Sequence, residues 1–280
     1  MSQALSVNVD STPLDVPYNS GNGTSADFNN DGYQDIIFTT DISDITPGNV
    51  TTPVAVYLYN PDTQGFELFN LTIDGVPNTY PEVYFAMYIA TFDINKDGIP
   101  DIITIDENET VNVDELEEGF IGAHQYAYIS NGIGNYNKVG LGFGEVATHG
   151  WGFIESADDQ FRIMHNTPFG GFTPSETVTA IATYNSETGQ FDSTLITRSD
   201  TYFSDLPQQD YPGYFYQFTL DVDNDGNTDI IGLSAPGGYN NIYLNNGAGE
   251  FTYEESFSSG LADRVNVEEI SVGDFNGDGF

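Results

Sequence analysis

A phrase of eleven residues recurs along this chain. Recurrence of a short unit at intervals of about 60 residues restricts a fold to architectures that stack or ring one supersecondary element. Its clearest copy runs from Asp221 to Ile231 and reads Asp-Val-Asp-Asn-Asp-Gly-Asn-Thr-Asp-Ile-Ile. Further copies open at Asp27 and Asp93, and a fourth, Asp274 to Phe280, reaches the last residue given. In each complete copy, carboxylates or amides stand at alternate positions before a glycine. An aspartate then leads into two isoleucines, Ile36 and Ile37, Ile102 and Ile103, or Ile230 and Ile231. Oxygen donors at that density suit calcium, which takes six to eight oxygen ligands in a flexible shell. The isoleucine pairs have β propensity, so each loop is expected to feed a strand.

The interval between the second and third copies is about twice the others, so one unit lacks the phrase. A second repeated phrase locates it: a strand ending in Asn, a Gly-bearing turn, then an aromatic that opens another strand. It occurs at Asn60 to Phe66, Asn131 to Tyr136, Asn185 to Phe191 and Asn245 to Phe251. Two of these turns fall between the loops at Asp93 and Asp221. The unit without an Asp-Gly loop is therefore Gly150 to Met164, with Phe161 to Met164 in place of the usual second strand. Its Asp158 and Asp159 read as plain surface carboxylates, with ion binding as the alternative.

Each unit reads as strand, Asp loop, strand, variable segment, strand, tight turn, strand. Four antiparallel strands per repeat are the signature of a β-propeller blade. The predicted fold is all-β, with blades at 20–80, 81–145, 146–205 and 206–262 and an incomplete one at 263–280. Propellers close with four to eight blades, so residues 1–280 are expected to form part of a larger ring, seven-bladed for instance; a stacked solenoid of the same sheets, or four blades with an overhang, are the alternatives. The Asp loop opens like an EF-hand, but that motif needs a bidentate Glu at position 12. Here position 12 is Phe38, Thr104 or Gly232.

These copies resemble FG-GAP/VCBS repeats, the calcium-bearing propeller blades of integrin α-subunits and many bacterial surface proteins. The resemblance implies that side chains at positions 1, 3, 5 and 9 and the carbonyl at position 7 hold Ca²⁺. It assigns Asp27, Asn29, Asp31, Tyr33 and Asp35 to the first site, and Asp93, Asn95, Asp97, Ile99 and Asp101 to the second. The third comprises Asp221, Asp223, Asp225, Asn227 and Asp229, and the fourth begins with Asp274, Asn276 and Asp278.

Charge narrows the partners. With 43 acidic residues against 5 Lys and Arg, the formal charge of −38 repels phosphate backbones and anionic lipid surfaces. Nucleic acid is excluded as a partner on that ground, and no apolar run is long enough for membrane insertion. There are no cysteines, hence no disulfide frame or thiolate metal site. No secretory leader is legible in Met1 to Asp10. His124, His149 and His165 match no compact metal motif, and no nucleophile elbow or phosphate loop is present.

Strand alternation puts every Asp loop and Asn-Gly turn at one end of the sheets and the variable segments, Asn70 to Pro81 among them, at the other. Function on such scaffolds concentrates on variable loops. The aromatic side chains Trp151, Phe172, Tyr202, Tyr211 and Tyr239 are the candidate ligand face. The expected protein is a non-enzymatic, calcium-stabilised module at a cell or virion surface that binds a glycan or a protein. A carbohydrate-active enzyme of the polysaccharide lyase kind, or a structural module of a fibre, sheath or adhesin, are the alternatives.

Overall fold

The computed structural model describes residues 23–38, 52–83, 86–106, 123–146, 150–167, 178–196, 214–234 and 241–253. The regular structure among them is entirely β, and no helix there is long and apolar enough to cross a membrane. The chain divides into two compact units, residues 1–145 and 146–280.

Unit 1 contains β1 (Gly23–Ala26), β2 (Asp35–Phe38), β3 (Thr52–Pro53), β4 (Ala55–Asn60), β5 (Gly65–Phe69), β6 (Thr72–Ile73), β7 (Val76–Pro77), β8 (Glu82–Val83), β9 (Ala86–Phe92), β10 (Asp101–Asp106), β11 (Ala123–Gly132) and β12 (Asn135–Val146). The last strand runs one residue past the boundary. Sheet 1 has the order β1-β2-β4-β5, and sheet 2 is the meander β9-β10-β11-β12 extended by β6 and β7. β3 pairs with β8. The period-2 alternation of a half-covered strand is visible in β2, where Asp35 and Ile37 are buried while Ile36 and Phe38 are half-buried. β10 is buried without interruption from Asp101 to Ile105, as a strand covered on both faces must be. One core joins the two sheets through Phe28, Ile37, Val56, Ile89, Ile102 and Tyr128.

Segment Asn70 to Pro81 departs from the expectation. Instead of staying at the far end of the sheets, it folds into the β6–β7 hairpin and pairs in parallel with the start of β12, Thr72 against Asn135 and Ile73 against Tyr136. The hairpin thus lies beside the β11–β12 turn, at the Asp-loop end of sheet 2. Apolar burial explains the detour: Leu71 and Ile73 enter the core shared with Tyr136. Asp74 and Gly75, at φ 51° and 77°, supply the left-handed pair of a tight two-residue turn.

Unit 2 holds β13 (Gly150–Ile154), β14 (Arg162–Thr167), β15 (Val178–Asn185) and β16 (Gln190–Ile196) as sheet 3. It also holds β17 (Tyr214–Leu220), β18 (Asp229–Ser234), β19 (Asn241–Asn245) and β20 (Phe251–Tyr253) as sheet 4. Ile154, Met164 and Ile181 of sheet 3 pack on Ile230 of sheet 4. Each of the four sheets is built on a sequential antiparallel meander, the blade element of a propeller.

In three of its four copies, the Asn of the second repeated phrase is a turn cap, while Asn131 Nδ2 donates to Asn137 Oδ1 instead. Asn60 Oδ1 accepts from the N–H groups of Asp62 and Thr63, and Asn185 Oδ1 from those of Glu187 and Thr188. Asn245 Oδ1 accepts from Gly247 and Gly249. A short amide replaces the missing strand partner at the point where the chain reverses.

Candidate cation loops

Three loops share one geometry. The residue at position 4 is left-handed in each, Asn30, Lys96 and Asn224, and so is the glycine at position 6, Gly32, Gly98 and Gly226. Glycine adopts that conformation without the steric cost of a Cβ, which explains the Asp-Gly pair in these three loops. Both oxygens of the position-1 carboxylate face inward: Asp27, Asp93 and Asp221 each accept from the N–H groups at positions 5 and 6, at 2.7 to 3.1 Å. Position 3 accepts at its Oδ1 from the position-5 N–H, and position 5 accepts from the N–H of position 7. Tyr33, Ile99 and Asn227 thereby occupy equivalent places.

The position-9 aspartates have a separate task. Asp35, Asp101 and Asp229 are buried, at 0%, 0% and 1% exposure. One oxygen of each accepts from the N–H of position 2, Phe28, Ile94 or Val222, at 2.6 to 2.8 Å. The other accepts from the third strand of the same sheet, at Tyr59, Ser130 or Asn245. Each carboxylate therefore ties its loop to a strand far along the chain, and it places the loop and the Asn-Gly turn at one end of the sheet, as strand alternation required.

Burial raises the pKa of all three above the ordinary carboxylate value, and like charges at position 5 add to the effect. For Asp101 the value reaches about 7, despite the opposing hydrogen bonds from Ser130, Ile94 and Asn95. A folded-state pKa above the unfolded one means that the native state binds more protons between the two values, so stability falls as pH rises through that window. The cation-free protein is expected to lose stability between about pH 4 and pH 7, with a smaller loss in Asp101→Asn. Urea midpoints in chelator across that range check the sign; a midpoint that climbs with pH would refute it.

The donor chemistry and spacing of these residues are those a calcium ion requires. Asp221, Asp223 and Asp225 each offer an oxygen within 4.8 Å of the others. Ligand oxygens at 2.3–2.6 Å from one Ca²⁺ stand at most about 5 Å apart, so the set fits. The first and second loops present the same backbone with an amide, Asn29 or Asn95, at position 3, and every donor is a hard oxygen. Asp274, Asn276 and Asp278 lie outside the described residues, as do Phe172, Tyr202, Tyr211 and Tyr239. Trp151 is in β13, next to the end opposite its loop, with its ring edge-to-face on Phe153 at 4.9 Å between centroids.

Sequence reasoning missed one member of this end of the sheets. Asp158, expected to be a plain surface carboxylate, is exposed as expected but is held by the buried Arg162 in a two-point ion pair. The available signal was that Arg162 is one of only 5 cationic side chains in a chain with 43 acidic ones.

Residues 27–104 and 221–280 match the family model described as FG-GAP-like repeat. These two stretches are thus FG-GAP-like repeats, and both matches open on the first aspartate of a loop described above. No curated protein sequence matches the chain. Among solved structures, the crystal structure of exotype rhamnogalacturonan lyase YesX is similar at a TM-score of 0.44 and 15% identity, over 84% of this chain and 48% of that one. This chain therefore spans about half the length of that protein.

Proposed function

We propose that the protein is a calcium-stabilised, non-enzymatic binding module of a cell or virion surface, which engages a glycan or protein ligand through the ends of the sheets opposite the Asp loops. One observation carries the reading: three loops of the same geometry point every one of their carboxylates at their own backbone and sheet. Groups committed to holding a loop closed are suited to a structural cation rather than to turnover. Binding would then fall to the unequal segments at the other end, where Trp151 stands.

The strongly acidic character fits surroundings rich in salt and calcium, where screening shortens the reach of self-repulsion. Arrays of glycans and surface proteins, probed with calcium-loaded protein, test the assignment. Retention of a ligand class without turnover, lost in chelator, is the expected result. Release of unsaturated sugar products would make the protein a lyase instead. Silence on both, together with ordered self-assembly, would make it a structural module.

A further inference from the structure

The sheet without an Asp-Gly loop has the same skeleton as the others. The last antiparallel pair before each loop is Ala26 with Asp35, Phe92 with Asp101 and Leu220 with Asp229; in sheet 3 it is Ile154 with Arg162. Arg162 therefore stands at the register position of the buried aspartates. Three residues before that position the other loops carry a left-handed glycine, and sheet 3 carries the left-handed Asp159, at φ 56°. Four residues before it they carry Asp31, Asp97 or Asp225, and sheet 3 carries Asp158. Each of these four carboxylates accepts the N–H two residues further on, from Tyr33, Ile99, Asn227 and Gln160. Asp158 is thus the geometric counterpart of the position-5 carboxylate, in a loop one residue shorter.

Onto that carboxylate folds the Arg162 guanidinium. Its side chain is 5% exposed, Nη1 donates to Asp158 Oδ1 at 2.8 Å, and Nη2 donates to Asp158 Oδ2. Nη2 also reaches Gln160 Oε1 at 3.3 Å and the carbonyl of Ala248, in the β19–β20 turn, at 3.4 Å. Gly249 leaves the room for it, since a Cβ there would come within 2.5 Å of Arg162 Nε.

We propose that Arg162 is the resident cation of sheet 3: its fork neutralises the position-5 carboxylate and closes the loop 155–161 as a divalent ion would close the Asp loops, so this sheet needs no metal. The comparison with an ion rests on the calcium reading of the three Asp loops, whereas the clamp rests on its own geometry. The closed loop then braces the next one. Ala157 N–H donates to Asn227 Oδ1, Thr228 N–H to the carbonyl of Glu155, and Asn245 Nδ2 to Ser156 Oγ. Asn227 and Thr228 are positions 7 and 8 of the loop at Asp221, so an abutment that needs no metal supports a cation loop.

The single tryptophan, Trp151, lies in sheet 3 and reports on it directly. Thermal unfolding of the full chain, followed by its fluorescence in calcium and in chelator, is the test for Arg162→Met, Arg162→Lys, Asp158→Asn and the Met/Asn double variant. Arg162→Met is expected to lower the transition by about 5 °C in both conditions, the size of effect that follows when one partner of a partly buried pair is removed. The double variant should fall no further than Arg162→Met, and Arg162→Lys should recover less than half of the loss, because an ammonium cannot make the two-point contact. Full additivity of the two single effects, or an unmoved Trp151 transition, would overturn the proposal. If Arg162→Met yields no folded protein, Asp158→Asn and Arg162→Lys carry the same comparison. A wild-type melt indifferent to calcium, with the coupling intact, would remove the calcium reading and leave the clamp standing.

Discussion

Stripping calcium from the protein is expected to lower its melting temperature by about 15 °C. A ligand held at one hundred times its dissociation constant stabilises the native state by about 2.7 kcal/mol per site. Unit 1 carries two complete loops, worth together about 5 kcal/mol on that basis. For a unit of this size each kcal/mol moves the midpoint by about 2–4 °C. The cause is electrostatic as much as coordinative: in the third loop three carboxylates approach within 4.8 Å, and without a cation their repulsion opposes the closed loop. Magnesium should restore less than calcium, since it demands near-ideal octahedral geometry and sheds water reluctantly. Calorimetry of chelated and reloaded protein settles the point, and equal melts in the two states would be incompatible with cation loops.

Asp101→Ala should cost about 3–5 kcal/mol, and most of that cost should survive in chelator. Its two oxygens accept buried N–H groups from Ile94 and Ser130, both at 2.6 Å, and truncation leaves both donors without an acceptor at about 1–3 kcal/mol each. Asp101→Asn retains one acceptor and turns an amide NH₂ toward the other donor, for a cost of about 2 kcal/mol. Asp93→Asn makes the contrast, because its carboxylate is exposed and serves only its own loop; its effect should shrink when calcium is absent. Denaturant midpoints for the three variants, each with and without calcium, separate a carboxylate that ties strands together from one that holds only its own loop. If the Asp101→Ala loss disappears in chelator, the strand-tying role is wrong.

Much of this architecture was legible from residue order. The Asp-Gly phrase gave the loops, the Ile-Ile pairs gave β2, β10 and β18, and the Asn-Gly turns located sheet 3, whose loop has no Asp-Gly pair. These features are local, fixed by turn chemistry and strand alternation within about ten residues, so order along the chain suffices to read them. What escaped notice depends on partners distant in sequence. No local rule brings Thr72 beside Asn135, because parallel pairing of a two-residue strand is decided by where Leu71 and Ile73 can be buried. Likewise Arg162 sits in a stretch that reads as an ordinary strand opening, and only the strand register shows that it replaces an aspartate. The strand-tying role of Asp35, Asp101 and Asp229 was not visible: the motif marked them as candidate ligands, while their backbone bonds to β4, β11 and β19 required coordinates.

The β6–β7 hairpin has a consequence for any attempt to cut, duplicate or shuffle these repeats. A boundary at residue 80 looks natural, since it separates two copies of the same pattern. Yet the stretch just before it, from Leu71 to Pro77, contributes edge pairing and buried side chains to the sheet that follows. The unit that repeats and the unit that can be moved are out of phase by about ten residues. A graft that carries sheet 2 with Leu71 as its first residue keeps the start of its outer strand, at Asn135 and Tyr136, paired; one that begins at residue 81 leaves those positions open to whatever chain is nearest.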